Sequence, residues 1–391
     1  MRPPYSTLTP THIYDYAASL LEPYLQWHDH GPKCTVKTLL QVLFYAAGHL
    51  CSVFAACSQL RTAPSDQAVR DALTALCPDP APLEQRLNRL FAAQIPKGLR
   101  KRTQRVAIDL TLVAYHGQPH QRVEEIYRSQ AKSGTTHFHA YATAYIVRRG
   151  QRFTVALIRV EYGTPMVEVL KRLLDLLRQA GIRPRLLLLD RGFYSVAVIR
   201  YLYRARYPFI MPVVRQGRPA DDPRGPSGTN VFAATKCSGW YTYTLTNADK
   251  QTATVLICVH CRNWQGQRGR HGRQTLVYAC WGIGTPSTTW VYQTYRLRFG
   301  IETSYRQLNE ARIKTTTRDP ALRLLFVAIA LILRNVWVWV HRQLLATPRR
   351  GARKLNLGLL PFKMLLLWLG YLAVLTFGIV DSVALAQAPR R

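Results

Sequence analysis

The sequence predicts an α/β fold: a mixed sheet with helices on both sides, interrupted by a β-rich insertion and preceded by a helical N-terminal segment. Three observations predict it. Apolar residues recur at three-to-four spacing through the first hundred residues. The period then switches to strand alternation, and strands and helices follow one another up to about residue 214. With 391 residues, 48% of them hydrophobic, the chain has material for two or three domains and is no disordered tail protein.

The helical segment starts with "THIYDYAASLLEPYLQW" and "TVKTLLQVLFYAAGHLCSVFAACSQL". A break at "RTAPSDQ" leads into "QAVRDALTALC", with Ser65 and Asp66 available as caps. Short helices and tight turns suit a helix-turn-helix-like DNA binder and a generic bundle equally. The basic run "PKGLRKRTQR" (96–105) links this part to the next.

"RVAIDLTLVAYHG" (105–117), "HFHAYATAYIVRRG" (137–150) and "QRFTVALIRVEYG" (151–163) read as strands, the last two as a hairpin. "TPMVEVLKRLLDLLRQAG" (164–181) predicts an amphipathic helix with Thr164 as cap, Pro165 at its first position and Gly181 at its end. The continuous apolar run in "IRPRLLLLDRGF" marks a strand buried on both faces, and a helix ("YSVAVIRYLYRAR") and a short strand ("YPFIMPVV") follow. From Arg215 to Trp290 a Pro/Gly loop and short alternating stretches indicate the insertion. Within it, "CRNWQGQRGRHGRQ" (261–274) reads as a flexible loop whose Arg262, Arg268, Arg270 and Arg273 beside Trp264 suit phosphate binding and base stacking. Solvated loop arginines are the alternative. The expected division is a helical domain at 1–100, the candidate DNA binder, an α/β core at 101–214 and 291–346, the insertion at 215–290 and an apolar tail at 347–391.

A net charge of +32, from 53 Lys plus Arg against 21 Asp plus Glu, points to a polyanion as partner, with anionic membrane as competitor. With eight scattered cysteines and no signal peptide, the expected location is the cytoplasm, on the nucleoid. Cys258 and Cys261 form a C-x-x-C near Cys237, His260, His271 and Cys280, but "TATVLICVHCRNW" alternates as a strand does, which disfavours zinc. In the apolar stretch 318–345 Arg334 argues against a membrane span, and a helix packed on the core sheet is expected. The 17 uncharged residues of 364–380 fall short of a bilayer's ~20, so a helix against the catalytic domain or a second subunit is expected.

Two carboxylates stand out. Asp109 lies inside a strand, between Ile108 and Leu110, and Asp190 ends the run "RLLLLD", where an open sheet places its ligand crevice. An ionised group in such surroundings is costly unless paired or metal-bound. Each could pair with an arginine. Equally, these two and Glu302 on a later helix could hold two divalent cations for phosphodiester transfer. In "YRLRFGIETSYRQLNEARIK" (295–314), Tyr295, Arg298, Glu302, Arg306 and Asn309 share one helical face. The local alternative is pairing of Glu302 with Arg298 and Arg306.

"VAIDLTLVAYHG", "LLLLDRGFYSVAVIRYL" and Tyr295-x2-Arg298-x3-Glu302 together resemble the insertion-sequence DDE transposases, in particular the cut-and-paste group with a β-strand insertion in a ribonuclease H-like core. The resemblance spans roughly residues 100 to 345. It implies metal binding and catalysis by Asp109, Asp190 and Glu302, with two Mg2+ ions that Mn2+ can replace. It also implies contact of Tyr295 and Arg298 with transposon-end DNA, and Arg306, Trp264, Arg268 and Arg270 are the further candidate DNA contacts. The implied partners are double-stranded DNA, as terminal inverted repeats and target, and a second copy of the chain in the DNA complex. One departure is Asn309, where the family pattern E-x6-K carries lysine. The competing functions are a nuclease on the same core and a catalytically silent, transposase-derived DNA-binding protein.

Overall fold

The computed structural model describes residues 7–148, 151–265, 271–349 and 352–383, with the side chains of 264–265, 299–308 and a few strand-end residues outside that description. The chain divides into two compact units. One comprises residues 1–94, 117–120 and 304–391, and the other residues 95–116 and 121–303.

The first unit starts with helices α1 (Pro10–Leu25), α2 (Val36–Gly48), α3 (Val53–Gln59), α4 (Asp66–Leu76) and α5 (Pro80–Gln94). Thr9, Thr35, Ser52 and Ser65 cap the first four, each side chain accepting the backbone N–H three residues on. The apolar stretch 35–60 is two helices. Leu50 takes a left-handed φ of 54°, and α3 departs from α2 at 102°.

The second unit is a sheet. A short α6 (Lys97–Arg100) leads into β1 (Gln104–Ala114), β2 (Tyr127–Lys132) and the hairpin β3 (Thr135–Arg148) and β4 (Gln151–Val160). Then come α7 (Met166–Gln179), β5 (Pro184–Leu189), α8 (Val196–Arg204) and β6 (Phe209–Pro212). β1 runs antiparallel to β3 and parallel to β5, and β5 parallel to β6. The order β4-β3-β1-β5-β6 is the ribonuclease H-like arrangement. α7 carries Val169, Leu170, Leu173, Leu174 and Leu177 as one buried face. Its N-cap is Pro165 with no side-chain bond, so the capping expected of Thr164 is not made, while Gly181 follows its end with φ 72°.

The insertion contributes α9 (Asn230–Ala234), β7 (Gly239–Thr246), β8 (Thr252–Gln265) and β9 (His271–Trp281), and α10 (Thr288–Ala311) follows. β9 pairs antiparallel with β6, so the insertion lengthens the core sheet to nine strands instead of forming a separate body. Most of the loop expected at 261–274 is strand as well. Arg262 pairs with Gln274 and Asn263 with Arg273 across β8 and β9, leaving Arg268 and Arg270 outside the described residues. Cys258 is buried within β8, and no cluster of metal-ligating side chains occurs among the described residues.

Two apolar helices return the chain to the first unit: α11 (Pro320–Val340) and α12 (Phe362–Phe377). α11 packs with α5 and α1, and α12 with α2 and α1. The packing partners expected for both segments were the core sheet, the catalytic domain or a second subunit. In the structure they share a core with the N-terminal helices, in the compact unit that resumes at residue 304. Among the described residues, α11 is the one single helix long and apolar enough to cross a bilayer, with the bent pair α2 and α3 passing the same test only together, and every residue of α11 except Trp339 is buried. Arg334 and Asn335 lie inside, Asn335 donating to Gln94 at 3.0 Å.

Two glycines allow α2 and α12 to approach. A Cβ at Gly48 would lie 2.7 Å from the Leu366 carbonyl oxygen, and one at Gly370 would lie 2.6 Å from the His49 ring. Backbone cannot yield as a side chain can, so Gly48→Ala should destabilise the protein by about 1–3 kcal/mol. A lowered thermal midpoint checks this, and an unchanged one contradicts the close approach.

Candidate active site

The site begins with sheet register. Parallel pairing of β1 with β5 sets Ile108 beside Leu189, which brings the next residues, Asp109 and Asp190, level on neighbouring strands. Asp109 is 5% exposed, and its Oδ1 accepts the Leu110 N–H at 2.9 Å. Asp190 follows the end of β5 and is half-buried.

The third component comes from α10. Arg298 reaches both carboxylates with one nitrogen: Nη2 donates to Asp109 Oδ1 at 2.7 Å and stands 3.0 Å from Asp190 Oδ1. Its Nη1 donates to the Tyr295 hydroxyl at 3.2 Å, and that hydroxyl donates to the carbonyl of Leu189 at 3.1 Å. The network thus ties α10 to the residue before Asp190. Tyr295 is only 1% exposed, its ring 5.0 Å from that of Tyr278 on β9. Burial pushes its phenol well above the ordinary range, with the Arg298 charge pulling the other way, so Tyr295 acts here as a neutral donor. On the hairpin, Arg152 donates to the Leu297 carbonyl at 3.0 Å, a further tie to α10.

Glu302 and Arg306 lie on α10, one and two turns beyond Arg298, with side chains outside the described residues, and Asn309 is exposed. The side chain of Trp264, near the end of β8, is likewise outside them. Arg262, expected in a loop, bonds Gln274 Oε1 at 2.9 and 2.6 Å and the Tyr292 hydroxyl, fastening β8 to α10. His260 stacks on the same Tyr292 ring, with centroids 4.8 Å apart.

Beside the carboxylates is a cavity of about 540 Å³. Arg191, Arg215 and Arg273 line it together with Thr229, Tyr278 and Tyr295, and among the described residues no acidic side chain does. The sequence reading missed Arg191 and Arg215. Arg191 directly follows Asp190 and was the legible one, whereas Arg215 is brought in only by the pairing of β6 with β9.

A ribonuclease H-like sheet with two carboxylates at adjacent strands, and a helix returning after a strand insertion, is the architecture of a DDE-type core. The family model for the transposase DDE domain matches residues 100–336, and the chain belongs to that family. A comparison with curated proteins finds no match. Among solved structures, the piggyBac transposase synaptic complex with hairpin DNA is similar in fold, with a TM-score of 0.55 at 10% identity. The similarity covers 95% of this chain and 81% of that one.

Proposed function

We propose that this transposase binds the ends of its own element and catalyses DNA cleavage and strand transfer, with Asp109, Asp190 and Glu302 as ligands of two divalent cations, Mg2+ or Mn2+. The observation that carries the reading is the convergence of Asp109 and Asp190, close enough for one guanidinium nitrogen to bond both. That nitrogen is a stand-in cation, and hard carboxylate oxygens at a partly open strand end suit Mg2+. Bound there, the metals would activate the attacking oxygen and stabilise the leaving one.

The chain's own side chains supply the rest. Arg298 offers a planar fork suited to the phosphate at the cleavage point. Tyr295, expected as a DNA contact, is buried, and its support is for a positioning role that fixes α10 against β5. Arg191, Arg215 and Arg273 form a basic cavity wall that suits the backbone next to that phosphate. Asn309 in place of lysine is the one feature that favours a silent DNA-binding protein. Mg2+-dependent cleavage of the element's own ends distinguishes the two.

The grip on duplex DNA belongs to the chain beyond the N-terminal helices. Residues 1–94 hold seven Lys plus Arg and seven Asp plus Glu, so the surplus of +32 lies after them. The DNA-reading role expected for residues 1–100 therefore lacks electrostatic support. Affinity for duplex DNA should fall steeply with salt, with log K against log [salt] sloping at about −0.9 per neutralised phosphate. Fluorescence anisotropy across a salt series measures the slope, and a flat line would remove the nucleic-acid reading.

A further inference from the structure

Arg298 satisfies two carboxylates that the proposed function assigns to metal. Its Nη2 stands 2.7 Å from Asp109 Oδ1 and 3.0 Å from Asp190 Oδ1, and its side chain is 8% exposed. A Mg2+ ion binding those same oxygens at ~2.1 Å would have to lie where the guanidinium nitrogen now stands or against it. Two positive charges cannot share that space. We infer that Arg298 is a latch: it and the divalent cation compete for the same carboxylate oxygens, and a DNA phosphate that takes the guanidinium frees Asp109 and Asp190 to bind metal. This rests on the metal-binding reading given above.

The surroundings support such an exchange. Asp190 is the more exposed partner and lies at the longer distance, so solvent and ligand reach the pair from its side. The cavity with Arg191, Arg215 and Arg273 begins at the residue after Asp190 and shares Tyr295 with the Arg298 network. A phosphate drawn to that wall arrives next to the guanidinium and offers it the same two-oxygen geometry as a carboxylate. The backbone of α10 need not move, because Tyr295 holds the helix to Leu189 independently of where Arg298 points. By reciprocity, whatever factor DNA adds to metal affinity, metal adds to DNA affinity. The device would keep the carboxylates from loading metal until DNA is in place.

The test reads metal binding, not turnover. Mn2+ is titrated into the full-length protein and free Mn2+ is followed by electron paramagnetic resonance, with and without a duplex carrying the element's end. Without DNA, Arg298→Gln should bind Mn2+ roughly tenfold or more tightly than wild type. The duplex should tighten Mn2+ binding by wild type and leave Arg298→Gln unchanged, after subtraction of the signal from Asp109→Asn with the same duplex. Should Arg298→Gln fail to fold by circular dichroism, the DNA-dependent gain in wild type still decides the matter. Equal affinity in folded wild type and Arg298→Gln, or no gain with DNA, overturns the latch and leaves the metal reading intact. Mn2+ binding that persists undiminished in Asp109→Asn overturns the metal reading, and the latch with it.

Discussion

Asparagine at Asp109 or Asp190, or glutamine at Glu302, should reduce cleavage in Mg2+ by about 10³-fold or more, since nucleophile activation and leaving-group stabilisation both fail. Binding of cognate DNA in EDTA should be as tight as in wild type or tighter. The neutral amides remove negative charge near the scissile phosphate, and they are poor ligands for a hard cation. Asp109→Asn also weakens the ion pair with Arg298. The amide oxygen can still accept the Arg298 N–H, so the fold should survive, and circular dichroism verifies it. Glu310→Gln, two turns beyond Glu302 on α10, is the control and should cleave near normally. Normal cleavage by Glu302→Gln would sink that residue's assignment, the one member of the trio whose side chain lies outside the described residues.

The other large effect is expected from removing residues 1–94. If these helices were an independent DNA-reading domain, the remainder would stay folded and lose only its preference for cognate ends. The packing predicts otherwise. α1, α2 and α5 cover α11 and α12, and α11 carries buried apolar side chains along its whole length. Deletion bares that surface in one stroke, and a patch of this size leads to aggregation. The truncated chain should be insoluble or should elute as aggregate on size exclusion. A monodisperse, cooperatively melting product would show that the two C-terminal helices find their core elsewhere.

How much of this was legible in the sequence depends on the range of the forces involved. The strands β1, β3, β4 and β5 and the helices α7 and α8 were readable because their periodicity is local. Asp109 and Asp190 were readable because a charge in an apolar run is conspicuous. The kink at Leu50, the extension of the sheet by β9 and the pairing of α12 with α2 depend on contacts between residues distant in the chain, and no window of sequence contains them. Arg298 shows both limits. Sequence alone left open whether each carboxylate pairs with an arginine and with which one, and the structure brings Arg298 to both Asp109 and Asp190. The strands through 261–265 and 271–274 were hidden by glycine and arginine, which read as loop until their cross-strand partners are known.

The most direct test of the account is incubation of the purified full-length protein with DNA carrying the authentic ends of its element, with Mg2+, with EDTA, and with scrambled ends. The account predicts strand cleavage at the element boundary in Mg2+ alone and on authentic ends alone. A folded protein that binds those ends yet leaves them intact in Mg2+ and in Mn2+ would contradict it, and would identify the chain as a silent DNA-binding descendant of a transposase.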